Sequence, residues 1–86
     1  MPPRSRTLSR VLAGTSDKNI RFGDLCRLLL SFGFEERIRG SHHIYTRRDV
    51  AEILNLQPRD GSMAKPYQVR QVRAVIVSYR LVEDIT

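Results

Sequence analysis

The sequence predicts an α+β fold: a leading helix, then helix–strand–strand–strand–helix, with a three-stranded antiparallel sheet and the helices on one of its faces. Three observations carry this. Apolar residues recur at helical spacing over residues 22–32 and 69–79. Between these stretches the pattern shortens to alternation over 34–39, 42–48 and 52–57. At 86 residues the chain has no room for a second core.

Each element has its own local reason. Leu8, Val11 and Leu12 stand at i, i+3 and i+4 and predict a short amphipathic helix over 5–13, ended by Gly14. Residues 15–19 read as a polar linker. Phe22, Leu25, Cys26, Leu28, Leu29 and Phe32 form a broad apolar stripe, with Gly33 as a left-handed stop and Phe34 folding back. The strands over 34–39 and 42–48 flank a Gly40-Ser41 turn, and a third strand alternates Leu54 and Leu56 with Ile53, Asn55 and Gln57. Residues 58–64 hold Arg59-Asp60-Gly61-Ser62, which is turn chemistry. Pro66 suits the first position of the last helix. Its buried stripe is Val69, Val72, Ile76 and Tyr79, and Gln68, Arg70, Gln71, Arg73 and Arg80 fall outside it.

Composition narrows the function classes. An apolar fraction of 41% is ordinary for a folded domain. No apolar run approaches the ~18 residues of a membrane span, and the N-terminus lacks the apolar core of a signal peptide. The lone Cys26 excludes an internal disulfide and sits in an apolar helical run, where it reads as a small core residue. A cytoplasmic protein without membrane contact is expected. The net charge of +6 and pI near 10.4 point to a polyanionic partner. Only Lys18 and Lys65 are lysine, so thirteen of the fifteen cations are arginine, which binds phosphate bidentately.

The chemistry concentrates in residues 37–48. If Ile38 and Ile44 face the core, alternation places Arg37, Arg39, His43, Tyr45 and Arg47 on the opposite, solvent-facing side. An imidazole titrates near working pH and can act as general base or acid. RNA supplies its own nucleophile, the 2′-hydroxyl, so a histidine beside arginines suffices without a metal. Gly40 allows close approach of a phosphate, and the Ser41 hydroxyl adds a donor. The plainer reading makes both histidines ordinary strand residues. Lys65-Pro66 reads equally as a phosphate contact at a helix start or as an exposed lysine before a standard proline. Tyr45 is either a platform for a base or a half-buried strand tyrosine. Metal binding fails on ligand spacing, because consecutive strand histidines point apart and neither CxxC nor HExxH is present. A Ser-His-Asp triad is equally unsupported, and no cofactor is expected.

Gly40-Ser41-His42-His43-Ile44-Tyr45 resembles the Gly-Ser-(His/Asn)-His motif of the HicA toxins of bacterial type II toxin–antitoxin systems. The preceding helix ending in Gly33-Phe34 is similar to that family, as is Lys65-Pro66 before Val69-Arg70-Gln71-Val72. The resemblance covers roughly residues 21–81. It implies a fold like a double-stranded-RNA-binding domain in residues 21–86, preceded by a helix and linker in 1–20. It further implies a ribosome-independent mRNA interferase, inhibited by a HicB-like antitoxin, in which His43 is catalytic and His42 carries no assigned role. Arg37, Arg39, Gly40, Ser41, Tyr45 and Lys65 are the candidate RNA-binding residues. The leading helix and a longer loop over 59–64 depart from the family's shortest members. An acidic antitoxin covering the face of Arg37, Arg39, Arg47 and His43 is the expected restraint. The alternatives are a non-catalytic RNA-binding module and a domain that recognises an acidic protein.

Overall fold

Pairing register decides which side of each strand is buried. The structure is a computed structural model that describes residues 3–85, with side chains described over 6–83. Strands β1 (Glu35–Arg39), β2 (His42–Arg47) and β3 (Val50–Leu56) form an antiparallel sheet in the order β1–β2–β3. Leu54 and Leu56 of β3 are buried and lie opposite Tyr45 and His43. Residues facing each other across an antiparallel pair share a face. Tyr45 and His43 therefore point to the core side, and Ile44 points outward beside Asn55. On β1, Glu36 opposes Tyr45 and Ile38 opposes His43.

This corrects the expectation that Ile44 faces the core together with Ile38: Ile38 shares the face of His43 but stands exposed on the edge strand, and Ile44 lies on the opposite face. Ile38 is 55% exposed and Tyr45 is fully buried. A one-residue change of parity exchanges the two faces of a strand, and the leucines of β3 decide the outcome. Burying Ile44 would have turned Leu54 and Leu56 into solvent.

Helices α1 (Pro3–Ala13), α2 (Phe22–Ser31) and α3 (Pro66–Ser78) flank the sheet as the order of elements predicts. Helix α2 buries Phe22, Leu25, Cys26, Leu28 and Leu29. Its end is a Schellman motif: Phe34 N–H donates to Leu29 O and Gly33 N–H to Leu30 O. Gly33 takes φ +86°, and Phe34 folds back into the core as expected. Helix α3 opens at Pro66 and buries Val69, Val72, Val75 and Ile76 against the rest of the core.

Gln68, expected on the outer side of α3, is buried instead. Its carboxamide spans to β3, accepting from Gln57 N–H at 3.1 Å and donating to Asn55 O at 3.3 Å. A buried amide is tolerated because both of its ends are met. The 59–64 loop is also more ordered than turn chemistry alone suggests. It is a small hairpin of β4 (Pro58–Arg59) and β5 (Met63–Ala64), tied to the core segment by Ala64 N–H to Ile20 O at 2.8 Å.

Helix α1 packs across α2 and α3, and Val11 is fully buried. Arg73, expected outside the buried stripe of α3, reaches back to hold this end of the molecule. Its guanidinium grips Asp17 with two bonds of 2.9 and 3.1 Å and donates to Val11 O at 3.0 Å. We propose the division near residue 20 as a boundary of sequence motifs rather than of packing, since Val11 and Ile20 belong to the same core cluster.

The grip of Arg73 holds the Asp17 carboxyl below its ordinary value, chiefly through their hydrogen bond. A carboxylate depressed in the folded state adds stability above its unfolded value, and that stability disappears as pH falls through the folded one. Asp17→Asn is expected to cost about 1–3 kcal/mol at pH 7. The difference from wild type should narrow as pH falls through and below the ordinary aspartate range, as read by urea denaturation across pH. Removing residues 1–16 is expected to leave 17–86 folded but less stable by a few kcal/mol. Complete unfolding of that fragment at room temperature would show the leading helix to be integral.

Candidate active site around His43

The β1–β2 hairpin closes over two residues, with Arg39 paired to His42 and Gly40 at φ +59°. A positive φ at the first turn position alone is the type II′ pattern, and it favours glycine there. Ser41 is steadied by Gln57, whose amide donates to Ser41 Oγ at 2.9 Å. Gln57 N–H in turn bonds Gln68, and Gln68 N–H bonds Lys65 O at 2.9 Å. One run of hydrogen bonds thus links the hairpin tip to the start of α3 and brings Ser41 and Lys65 to the same end of the molecule.

His43 points to the core side but sits at its margin, with its side chain 24% exposed. The Phe22 ring meets it edge-on, with centroids 4.9 Å apart and planes at 81°. Its Nδ1 is buried and makes no hydrogen bond. Glu36 Oε2 lies 3.8 Å from it. Glu36 is itself held by Tyr45, whose hydroxyl donates to Oε2 at 2.5 Å.

Behind the imidazole two ionisable groups, Tyr45 and Cys26, are kept neutral. Burial pushes the Tyr45 phenol far above its ordinary value, and its bonds with Cys26 and Glu36 push the same way. Burial also raises the Cys26 thiol. At neutral pH Tyr45 is a donor and Cys26 a thiol. The reading of Cys26 as a core residue agrees with its 7% exposure.

Two expectations for this site fail. Tyr45 cannot stack on a base, because it is fully buried; its ring fills the space opposite Leu54. Arg37 and Arg39 do not share a face with His43. They lie outward with His42 and Ile44, to which β1 pairs them, and with Ile53 they line an open cavity of about 380 Å³. Arg47, beyond a register shift in β2, is half-buried and paired with Asp49 at 3.0 Å. His42 faces outward too, with Nδ1 3.1 Å from Asn55 Oδ1.

Phe22, Cys26 and Glu36 around the imidazole were not anticipated, nor were Gln57 and Gln68 behind the hairpin tip. Glu36 was within reach of the sequence. Had the leucines of β3 been used to set the parity of β2, the hairpin register would have put Glu36 beside His43. Cys26 and Phe22 come from a helix, and strand alternation says nothing of them.

A family model described as HicA toxin of bacterial toxin–antitoxin matches residues 22–76. That span runs from the start of α2 into α3 and contains both the Gly40–Tyr45 motif and Lys65-Pro66. No curated protein and no solved structure matches the chain.

Tyr45→Phe removes the one phenol that Glu36 accepts from, inside the core. Its expected cost is about 1–3 kcal/mol of stability in urea denaturation, with no direct loss of RNA affinity. A large drop in RNA binding by a folded Tyr45→Phe protein would contradict the buried placement.

Proposed function

The chain belongs to the HicA toxin family, and from that membership we propose that it is an mRNA interferase that cuts RNA with His43 and is restrained by a HicB-like antitoxin. As a toxin of a toxin–antitoxin system it has a cognate antitoxin as partner. Among the described residues no helix is long and apolar enough to cross a membrane.

One observation supports the catalytic reading above the rest. An imidazole at the rim of the core is oriented by an aromatic edge and a carboxylate, next to a Gly-Ser hairpin tip. In the proposed reaction Nε2 takes the proton of a ribose 2′-hydroxyl. The 2′-oxygen forms a bond to the adjacent phosphorus, and the bond from phosphorus to the 5′-oxygen breaks. The leaving oxygen takes up a proton, so the products are a 2′,3′-cyclic phosphate and a 5′-hydroxyl. Glu36, 3.8 Å from Nδ1, gives the transient imidazolium a counter-charge and fixes the ring's orientation. Gly40, the Ser41 hydroxyl and Lys65 meet the phosphate. Arg37 and Arg39, on the outer face, engage flanking phosphates rather than the reacting one. No metal takes part in these steps.

The location of the imidazole also bears on inhibition. An acidic surface laid on the outer face alone would engage Arg37 and Arg39 and leave His43 open. An antitoxin that acts by occlusion has to cover the rim between α2 and the hairpin.

A second reading, RNA binding without cutting, is favoured by the outward orientation of Arg37 and Arg39. Substitution separates the two. His43→Ala is expected to fold, to bind RNA and to lose cleavage by about 10²–10⁴-fold, measured with a labelled RNA in the presence of EDTA. A substrate with a single 2′-deoxy ribose at the cut should resist wild type. Undiminished cleavage by folded His43→Ala, or strict dependence on added Mg²⁺, would rule out this mechanism.

A further inference from the structure

Three metal-ligating side chains from three different elements converge behind the imidazole. They are Cys26 of α2, Glu36 of β1 and His43 of β2, and one donor atom from each lies within 4.8 Å of the others. The spacing of these residues in sequence gives no hint of the cluster, because the sheet register and the packing of α2 bring it together.

The donor set is specific in its chemistry. A sulfur, an imidazole nitrogen and a carboxylate oxygen suit zinc, a borderline-soft ion, and do not suit Mg²⁺ or Ca²⁺, which take oxygen ligands. His43 contributes a second observation. Its Nδ1 is buried, has no hydrogen-bond partner and faces the Glu36 carboxylate at 3.8 Å. Buried polar atoms in native proteins rarely go unmet. With zinc–ligand bonds of roughly 2.0–2.3 Å, tetrahedral donors stand about 3.3–3.8 Å apart. The Glu36–His43 pair is at that separation already, and the thiol needs a shift of about an ångström or less to join it. The protein supplies three ligands, and a water molecule would complete a tetrahedral shell.

We propose that Cys26, Glu36 and His43 form a three-ligand zinc site, and that its occupancy reversibly silences the imidazole. The silencing half rests on the catalytic reading of His43; the binding half does not. On binding, Cys26 releases its proton to solvent and coordinates as thiolate, and His43 coordinates through the Nδ1 lone pair. The neutral ring then carries its proton on Nε2. In that form Nε2 can only donate, so it cannot take the proton of a 2′-hydroxyl. Zinc is an inhibitor here and no part of the reaction.

The test uses the full chain, freed of metal by chelation. Zn²⁺ is titrated in competition with a chromophoric chelator, and Co²⁺ serves as a spectroscopic probe. One equivalent per chain and a thiolate-to-cobalt charge-transfer band are expected. Cys26→Ala and Glu36→Gln should each weaken binding by at least ~100-fold. Glu36→Gln keeps an acceptor for Tyr45, so it guards against a false loss through misfolding, and circular dichroism checks both variants. Failure to bind one equivalent, a cobalt spectrum without thiolate character, or unchanged affinity in both variants overturns the site. In the RNA assay, one equivalent of Zn²⁺ should stop wild-type cleavage and chelator should restore it, whereas Cys26→Ala should cut whether or not zinc is added. Cleavage that continues in zinc-saturated wild type overturns the silencing. Stoichiometric binding by a metal-free protein that never cuts RNA upholds the site and refutes the catalytic reading instead.

Discussion

The pairing of Tyr45 with Leu54 and of His43 with Leu56 is the constraint on which the rest of this molecule depends. Two leucines committed to the core leave β2 one parity, and that parity draws a tyrosine inside and a histidine to the margin. From there the partners are forced. The tyrosine hydroxyl, buried, needs an acceptor, and Glu36 directly across the strand pair provides it. The same carboxylate then stands beside Nδ1 of His43. The environment of the imidazole is thus a by-product of how a core tyrosine satisfies its oxygen.

Polar side chains hold the layers together at both ends. Gln68 ties α3 to β3 through both ends of its amide, and Arg73 ties α3 to the segment before α2. Each occupies a helix position where an outward polar residue would be the ordinary case. Each draws its energy from meeting groups that would otherwise be buried unpaired. In a chain of this size, where apolar burial leaves a thin margin, such contacts weigh more than in a larger domain.

Much of the architecture was legible. The Schellman stop at Gly33, Pro66 opening α3, the alternation of Leu54 and Leu56 and the antiparallel hairpin over Gly40-Ser41 were all read from local pattern, and each is local physics. The motif pointed to the family for the same reason, since a short motif survives without knowledge of tertiary packing. What failed was long-range. The side that Ile44 or Tyr45 faces depends on Leu54 and Leu56 of β3, and an isoleucine next to His43 was misleading. Gln68 and Arg73 were misread because helical periodicity treats a polar residue as solvated and cannot see a waiting carbonyl or carboxylate. Cys26, Phe22 and His43 meet only through the docking of α2, which no spacing rule encodes.

Strand β1 stands at the edge of the sheet with all five of its residues exposed. One side of its backbone has no neighbouring strand in the sheet, the geometry that lets chains recruit one another into extended assemblies. Four of its five side chains are charged, Glu35, Glu36, Arg37 and Arg39, with Ile38 alone apolar. Charged side chains on an exposed edge are a recurrent guard against such pairing, because docking a second chain there would take these groups out of water. The charges of this strand therefore work against copies of the chain stacking edge to edge. Replacing them with apolar residues would lift that barrier, so resistance to edge-to-edge association rests on the side chains of a single five-residue strand.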